Sequence, residues 1–321
     1  EPTASLAGRV PAGVDARQRE EDAITMAASL ASSAVALGHE VSLRVHGLPC
    51  AAMPAAGGVR HLDRLLVQLA AGFILVECLA GLTQPFIFFV VGSLGDYAFP
   101  DYRDALAALP WYAMAAMLLI GDDMTQYWWH RVSHSPMLWP LHRAHHSPQY
   151  MSARIIYRNN FFYYLCMPGL WISGILIFLG FAEVYLVYIV IKLAVITGAH
   201  SAVKWDAPLY RIKALKPLMW LVQRTVSTPS THYAHHAMYD NDGIGHYKGN
   251  FGNLLFFWDV LFGTAHITQK YPAEVGLRDD QLFGRESWWV QLFYPLFCSR
   301  RAHSALIPGG KPYEELSPAE P

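Results

Sequence analysis

The sequence predicts an all-α integral membrane helical bundle of about four transmembrane helices, with a histidine-rich helical cap that holds a dimetal site. Two features of composition indicate this class: 53% of the 321 residues are apolar and only 15% are charged. Soluble domains usually carry about a quarter charged residues, so the deficit indicates that lipid surrounds much of the chain. Several apolar runs of membrane-spanning length are the third observation. The formal charge of −1 gives no electrostatic footprint for nucleic acid, and we expect no such partner.

Composition divides the chain into three regions. Residues 1–59 mix alanine, glycine, proline and scattered charges, and we interpret them as a poorly ordered tail. Residues 60–270 carry the long apolar runs and all of the clustered histidines, and are predicted to form the membrane domain with its metal site. Residues 271–321 are expected to be an interfacial or cytoplasmic extension. The four cysteines are far apart in sequence and predict neither a zinc–thiolate site nor a disulfide framework.

The first two apolar zones lead towards the first histidines. Residues 64–95 form the first zone, which Gly81 and Pro85 interrupt, so we expect one kinked helix or two shorter ones. Residues 105–129 form the second zone and continue directly into His130.

The third apolar zone, residues 161–199, is long enough to cross a bilayer twice. As one straight helix it would measure about 58 Å, roughly twice the hydrocarbon thickness. We therefore predict a hairpin that turns near Gly180 and Glu183. The aromatic-rich segments 254–263 and 288–297 are shorter than a span and are expected at the interface or against the core.

A hairpin returns the chain to the membrane face that it left, so histidines on either side of it would share one face. The loop 130–158 carries four arginines, and residues 201–224 carry five lysines and arginines. The short loop 96–104 instead contains three aspartates and one arginine. Because positive loops tend to stay inside, the histidine face of this multi-pass chain is predicted to be cytoplasmic.

Histidine is concentrated in three short segments, "HRVSH", "HRAHH" and "HYAHH". The first has two histidines one helical turn apart, on the same helix face. In the other two, the H-x-x-H-H spacing puts two imidazoles on one stripe of a helix and a third about 100° away, within reach of a neighbouring metal. Eight imidazoles exceed the needs of one tetrahedral zinc ion and suit two metals such as iron. The eight are His130, His134, His142, His145, His146, His232, His235 and His236.

Taken in order, these segments resemble the sterol desaturase and fatty acid hydroxylase superfamily of integral-membrane diiron enzymes. The family pattern is H-x3-H followed by two H-x-x-H-H boxes on either side of a membrane hairpin. The stretch "NFGNLLFFWDVLFGT" (250–264) is similar to the signature that follows the last box. The resemblance covers residues 105–270 and implies O2-dependent hydroxylation or desaturation at an unactivated C–H bond in a membrane lipid, of which hydroxylation is the more frequent in the family. Sterol, fatty acyl, ether lipid and carotenoid substrates all remain open.

The resemblance implies that the box histidines hold two iron ions, for which zinc can substitute in purified protein. His200, in "TGAHSAVKW", ends the hairpin where some members carry a further ligand, and its role stays open. His246 and His266 lie outside the boxes and are not expected to bind metal. Metal-bound histidine usually donates its second N–H to a carboxylate or carbonyl, so nearby polar residues are candidates for that contact or for helix-end and loop contacts. These residues are Asp122, Asp123, Asp259 and Asn253.

Turnover would also need electrons from outside the chain. The sequence has no G-x-G-x-x-G loop and no cysteine set for an iron–sulfur cluster. We therefore expect an external donor, either a ferredoxin or a cytochrome b-type protein with its reductase, besides O2 and the lipid.

Three other activities remain open. Desaturation could occur at the same site. A membrane zinc metallohydrolase would usually place a carboxylate base beside its ligands, as in H-E-x-x-H, and the boxes contain none. A metal transporter or sensor would favour more ionisable residues within the spans.

Overall fold

The computed structural model describes residues 41–43, 53–56, 81–301 and 304–310. Within these ranges the protein is helical apart from one antiparallel pair of short strands, β1 (Val41–Leu43) and β2 (Met53–Ala56). The helical class predicted from composition is confirmed. The strands belong to the predicted tail 1–59, and the remainder of that tail, with its predicted poor order, lies outside the described residues.

Two helices carry the first two apolar zones. The described part of α1 covers residues 81–98 and includes Pro85. Helix α2 is continuous and consists of Trp111–Leu118, the π-helical stretch Leu119–Met124 and Thr125–Ser133. Because no proline interrupts α2, the helix runs from an exposed apolar end to His130 in its last turn.

The later helices are mostly short and frame the histidine segments. They are α3 (Trp139–His146), α4 (Phe161–Leu165), α5 (Pro168–Leu176), α6 (Ala182–His200), α7 (Asp206–Arg211), α8 (Lys216–Thr225), α9 (Pro229–His235), α10 (Phe257–Phe262), α11 (Arg278–Phe283) and α12 (Trp288–Phe293). A short 3-10 turn at Pro100–Tyr102 lies between α1 and α2, and two more, Ala153–Tyr157 and Lys213–Leu215, lie between later helices. A π-helical stretch, Ile177–Phe181, follows α5.

The third apolar zone folds back on itself at Gly180. The φ angle of Gly180 is +109°, which breaks the helical path between α5 and α6. Gly169, near the start of α5, lies against the Asp122 carboxylate, and the Lys192 Nζ of α6 lies 2.6 Å from the same carboxylate. A straight helix would separate residues 169 and 192 by about 34 Å, so the two arms run antiparallel, as the sequence predicts.

One stretch of the described residues, Pro168–His200, is long and apolar enough to cross a membrane, with a mean hydropathy of 2.4 over its most apolar 18 residues. Length and composition therefore do not identify all four of the membrane spans that the sequence predicts. In α2, the adjacent Asp122 and Asp123 lower the hydropathy of the middle of the helix.

Large apolar side chains are nevertheless exposed along three helices. Phe89 of α1, Trp111 of α2 and Leu186 of α6 are 71%, 71% and 65% exposed. Apolar surface of this extent is unfavourable in water and is typical of contact with lipid or with another chain.

The interior between these helices contains apolar side chains at one end and a buried ion pair near the middle. Met114 and Leu118 of α2 pack against Leu176 and Phe181 of the hairpin. Further along the same helices, the buried Asp122 accepts hydrogen bonds from Tyr188 Oη at 2.8 Å and from Lys192 Nζ at 2.6 Å. This ion pair fixes the register of α6 against α2.

Replacing Gly180 with alanine is expected to lower the free energy of unfolding by about 1–3 kcal/mol, because the backbone conformation favours glycine. A Cβ at this position would also lie only 2.9–3.0 Å from atoms of Ala107. The measurement is unfolding in detergent micelles. Gly92→Ala is the matched control, since Gly92 lies in α1 with no atom within 4 Å of an added Cβ. Equal stability of the two variants would contradict this account of the turn.

Candidate metal centre

Nine histidines gather into two neighbouring groups at the ends of α2, α3, α6 and α9. In each group, one ring nitrogen of every member lies within 4.8 Å of those of the others. The first group is His130, His134, His142, His146 and His235, and the second is His145, His200, His232 and His236. All eight box histidines and His200 are thus brought together. His246 and His266 lie outside both groups, with ring centroids 5.0 Å apart.

Helical spacing explains how the boxes divide between the groups. In α3, the i, i+4 pair His142 and His146 joins the first group, while His145 projects to the second. In α9 the arrangement is reversed, because the pair His232 and His236 belongs to the second group and His235 to the first. Each H-x-x-H-H box therefore supplies histidines to both groups. The third imidazole of each box belongs to the neighbouring group, as the spacing predicts.

Short helices with defined starts hold these boxes. Pro229 occupies the first turn of α9, and Thr228 and Thr231 form a reciprocal capping box there. Pro140 lies in the first turn of α3. These signals fix where each helix begins and therefore which way its imidazoles point.

The spacing of the ring nitrogens fits neighbouring ligands on one ion. The Nε2 atoms of His130 and His235 are 2.9 Å apart in the first group, and those of His200 and His232 are 2.8 Å apart in the second. Two nitrogens bound at about 2.1 Å and at right angles to each other would be about 3.0 Å apart. Each group therefore has the dimensions of a single metal site.

In the first group, hydrogen bonds fix the protonation of two facing rings. His130 Nδ1 lies 2.7 Å from the Phe251 carbonyl oxygen, and His235 Nδ1 lies 2.7 Å from the Gly249 carbonyl oxygen. A carbonyl only accepts, so both Nδ1 atoms carry the proton, and the two Nε2 atoms face each other as lone pairs. Such a pair repels unless a cation lies between its members.

The second group repeats this arrangement. His145 Nδ1 donates to the Ile155 carbonyl at 2.9 Å, and His200 Nδ1 donates to the Ile196 carbonyl at 2.9 Å. Their Nε2 atoms are 3.3 Å apart and again present lone pairs to each other. One cation per group satisfies both arrangements.

Burial keeps these rings neutral. It lowers the pKa of His145 and of His235 well below the ordinary value, and the neighbouring histidines lower both further. Protonation of a ring is therefore unfavourable and is not expected to relieve the repulsion between the facing lone pairs. Neutral imidazole binds iron, zinc, copper and nickel, so a metal ion is the cation that fits.

Two of the predicted carboxylates hold the framework around the histidines. Asp259 accepts hydrogen bonds from Phe251 N at 2.8 Å and Gly252 N at 2.6 Å, and the Phe251 carbonyl in turn accepts from His130. Asp123 accepts from Trp258 Nε1 at 2.8 Å, which ties α2 to α10. Asp259 is thus connected to His130, a histidine of the first group, through the backbone of Phe251.

The other two predicted polar residues lie away from the rings. Asp122 is eight residues before His130, about 12 Å along α2, and bonds to the hairpin. Among the described hydrogen bonds, none joins Asn253 to a histidine.

Two other asparagines have contacts that the sequence did not predict. Asn159 Oδ1 accepts from His142 Nδ1 at 3.0 Å, and Asn250 Nδ2 donates to the Thr231 carbonyl at 2.9 Å. Neither contact has a sequence signal, because no motif spacing connects these asparagines to their partners.

Comparison with known proteins relates the segment that carries the histidines to one family. Residues 115–264 match the fatty acid hydroxylase family model. Alkylglycerol monooxygenase from Xenopus tropicalis is 29% identical over 56% of this chain and 36% of its own length. The enzymes of the same name from Homo sapiens and Danio rerio are 27% and 30% identical, over 64% and 60% of this chain and 41% and 40% of theirs.

The chain spans about two fifths of the length of these curated relatives. No solved structure matches it. The matched segment contains all three histidine boxes and the end of the hairpin. Residues 115–264 are therefore similar to the fatty acid hydroxylase family, and this match supports the resemblance of the three boxes to the sterol desaturase and fatty acid hydroxylase superfamily.

Proposed function

We propose that the protein is an O2-dependent lipid monooxygenase, which hydroxylates an unactivated C–H bond at a dimetal centre held by the nine histidines. The observation that carries this proposal is the presence, in each group, of two buried Nε2 lone pairs facing each other. The names of the relatives, alkylglycerol monooxygenases, favour an alkylglycerol ether as the first substrate to test.

Iron is the metal that we propose for both groups. The donor set is entirely neutral imidazole, which suits iron but also zinc and copper, so the choice rests on the monooxygenase relatives. When bound, a pair of iron ions would supply the redox chemistry that allows O2 to attack an unactivated C–H bond.

The contribution of the chain is orientation and exclusion of water. Hydrogen bonds from Nδ1 to backbone carbonyls hold His130, His145, His200 and His235 with Nε2 directed inwards. All four rings are at least 95% buried. A ligand shell that cannot rotate and that is shielded from water keeps the site ready for substrate and protects reactive species.

Access for the lipid is proposed to come from the bilayer. Helices α2 and α6, which carry exposed apolar side chains, both end in histidines of the site. We propose that the chain crosses the membrane several times with this end on the cytoplasmic face. An external donor, a ferredoxin or a cytochrome b-type protein with its reductase, would deliver the two electrons that, with two protons from water, reduce the second oxygen atom to water.

The test uses iron-loaded protein, an alkylglycerol, a chemical reductant and isotopically labelled O2. We expect the lipid product to gain one labelled oxygen atom, and metal analysis to give about two irons per chain. Loss of two hydrogens without oxygen gain would instead identify a desaturase. Turnover without O2 by the zinc-loaded protein would identify a hydrolase, and either result would overturn the proposal.

A further inference from the structure

The segment that follows the family-matched region makes a buried ionic contact with the second histidine box. Arg143, within "HRAHH", is fully buried, and its Nη2 atom lies 2.6 Å from Asp279 and 2.5 Å from Asp280. Both aspartates lie at the start of α11, beyond residue 264, where the family match ends. Arginine keeps its charge at any physiological pH, so a guanidinium buried this deeply depends on its carboxylate partners.

A second arginine extends this contact into the rest of the segment. Arg301 lies 3.1 Å from each of Asp279 and Asp280, and its Nε lies 3.1 Å from Glu286. Two guanidinium groups and three carboxylates thus form one network with little exposure to solvent. Helix α12 packs against α3 beside this network.

The same segment also contacts the third histidine box. Gly276 N donates to the His236 carbonyl at 3.1 Å, and Met238 N donates to the Glu274 carbonyl at 3.0 Å. Residues 274–280 therefore touch both H-x-x-H-H boxes, each of which supplies histidines to both groups. A displacement of this segment would therefore shift histidines at both candidate metal positions.

We propose that residues 274–301, here called the C-terminal clamp, position the second and third boxes, with Arg143 and Asp280 as positioning residues that set the metal affinity. Arg143 fixes the rotation of α3 about its own axis. A rotation of about 20° would move a group at a radius of 5–6 Å by about 2 Å. Functional constellations tolerate about 0.5 Å, so loss of this anchor would misplace imidazoles in both groups. The inference rests on the proposed function only in taking the histidines as metal ligands.

The test is metal affinity of the full chain carrying Asp280→Asn. Loss of a partner that orients metal ligands typically lowers metal affinity about 10–100-fold, and we expect a loss in this range. The readout is iron retained in competition with a chelator, measured without lipid. Asp280→Glu should recover part of the affinity. Asp96→Asn is the matched control, because it breaks an exposed Arg–Asp contact of 2.5 Å whose arginine lies against Phe178, beside the turn of the hairpin.

The outcomes separate a positioning role from a merely structural one. If Asp280→Asn lowers thermal stability but leaves iron retention at the wild-type level, the clamp does not set metal affinity and the proposal is wrong. If Asp280→Asn does not fold, Asp280→Glu and Arg143→Lys decide on the same readout, with wild-type iron retention in both counting against the clamp. A wild-type protein that binds two metals but oxidises no lipid would refute the proposed function without contradicting the role of the clamp in metal affinity.

Discussion

His145→Ala is expected to abolish lipid oxidation and to lower the iron content from about two to about one per chain. His145 belongs to the four-histidine group, and its Nε2 lies 3.3 Å from that of His200. Removing the ring deletes one donor from the smaller group and leaves the five-histidine group intact. The loss of affinity at the affected position should exceed the 10–100-fold typical of an outer partner, since a direct ligand is lost.

The measurements for His145→Ala are iron per chain and labelled oxygen in the lipid. His266→Ala serves as the matched control, since His266 lies outside both groups and bonds to the Gly243 carbonyl. Full iron content and unchanged product in His145→Ala would show that this residue is not a ligand. Loss of both irons would show that the two groups do not load independently.

Lys192→Met is expected to lower the free energy of unfolding by about 3–5 kcal/mol, the typical cost of removing one partner from a buried ion pair. Lys192 and Asp122 are 5% and 2% exposed, and among the described residues the remaining carboxylate would keep only the Tyr188 hydroxyl as a donor. The other carboxylate oxygen, Oδ1, already lacks a hydrogen-bond partner among the described residues. Methionine retains the volume of the lysine stem, so little packing is lost together with the charge.

The double variant Asp122→Asn/Lys192→Met separates lost charge from lost packing. It removes both charges, and we expect it to recover more than half of the stability lost in Lys192→Met, because no uncompensated carboxylate remains. Unfolding in detergent micelles, by heat or denaturant, measures all variants. The exposed Asp96–Arg103 pair gives the comparison through Asp96→Asn, which should change stability far less. Equal losses in Lys192→Met and Asp96→Asn would show that the hairpin pair is not stabilising.

Local spacing made the histidine site predictable. One helical turn separates His130 from His134, and the H-x-x-H-H pattern sets two imidazoles on one face of a helix and a third beside them, whatever the surrounding fold. The hairpin was predictable for a similar reason, since the apolar run was twice the needed length and contained Gly180 near its centre. These inferences depend only on residues close together in the chain.

The partners of the imidazoles could not be predicted in this way. Backbone carbonyls such as those of Ile155 and Gly249 accept from the rings, and a carbonyl has no residue type that a sequence pattern could reveal. Carboxylates were expected in that role, but Asp122 is too far along α2, and Asp259 acts through the backbone of Phe251.

The sequence by itself determined the helical class, the three boxes and the turn of the hairpin, because each depends on composition or on helical periodicity. Only the tertiary structure decided that His200 joins His145 and His232, so that the nine histidines form one group of five and one of four. It alone also placed the C-terminal clamp against Arg143. The physical reason is that these contacts join residues 32 to 137 positions apart, and their distances are set by how helices pack rather than by the spacing within any one helix.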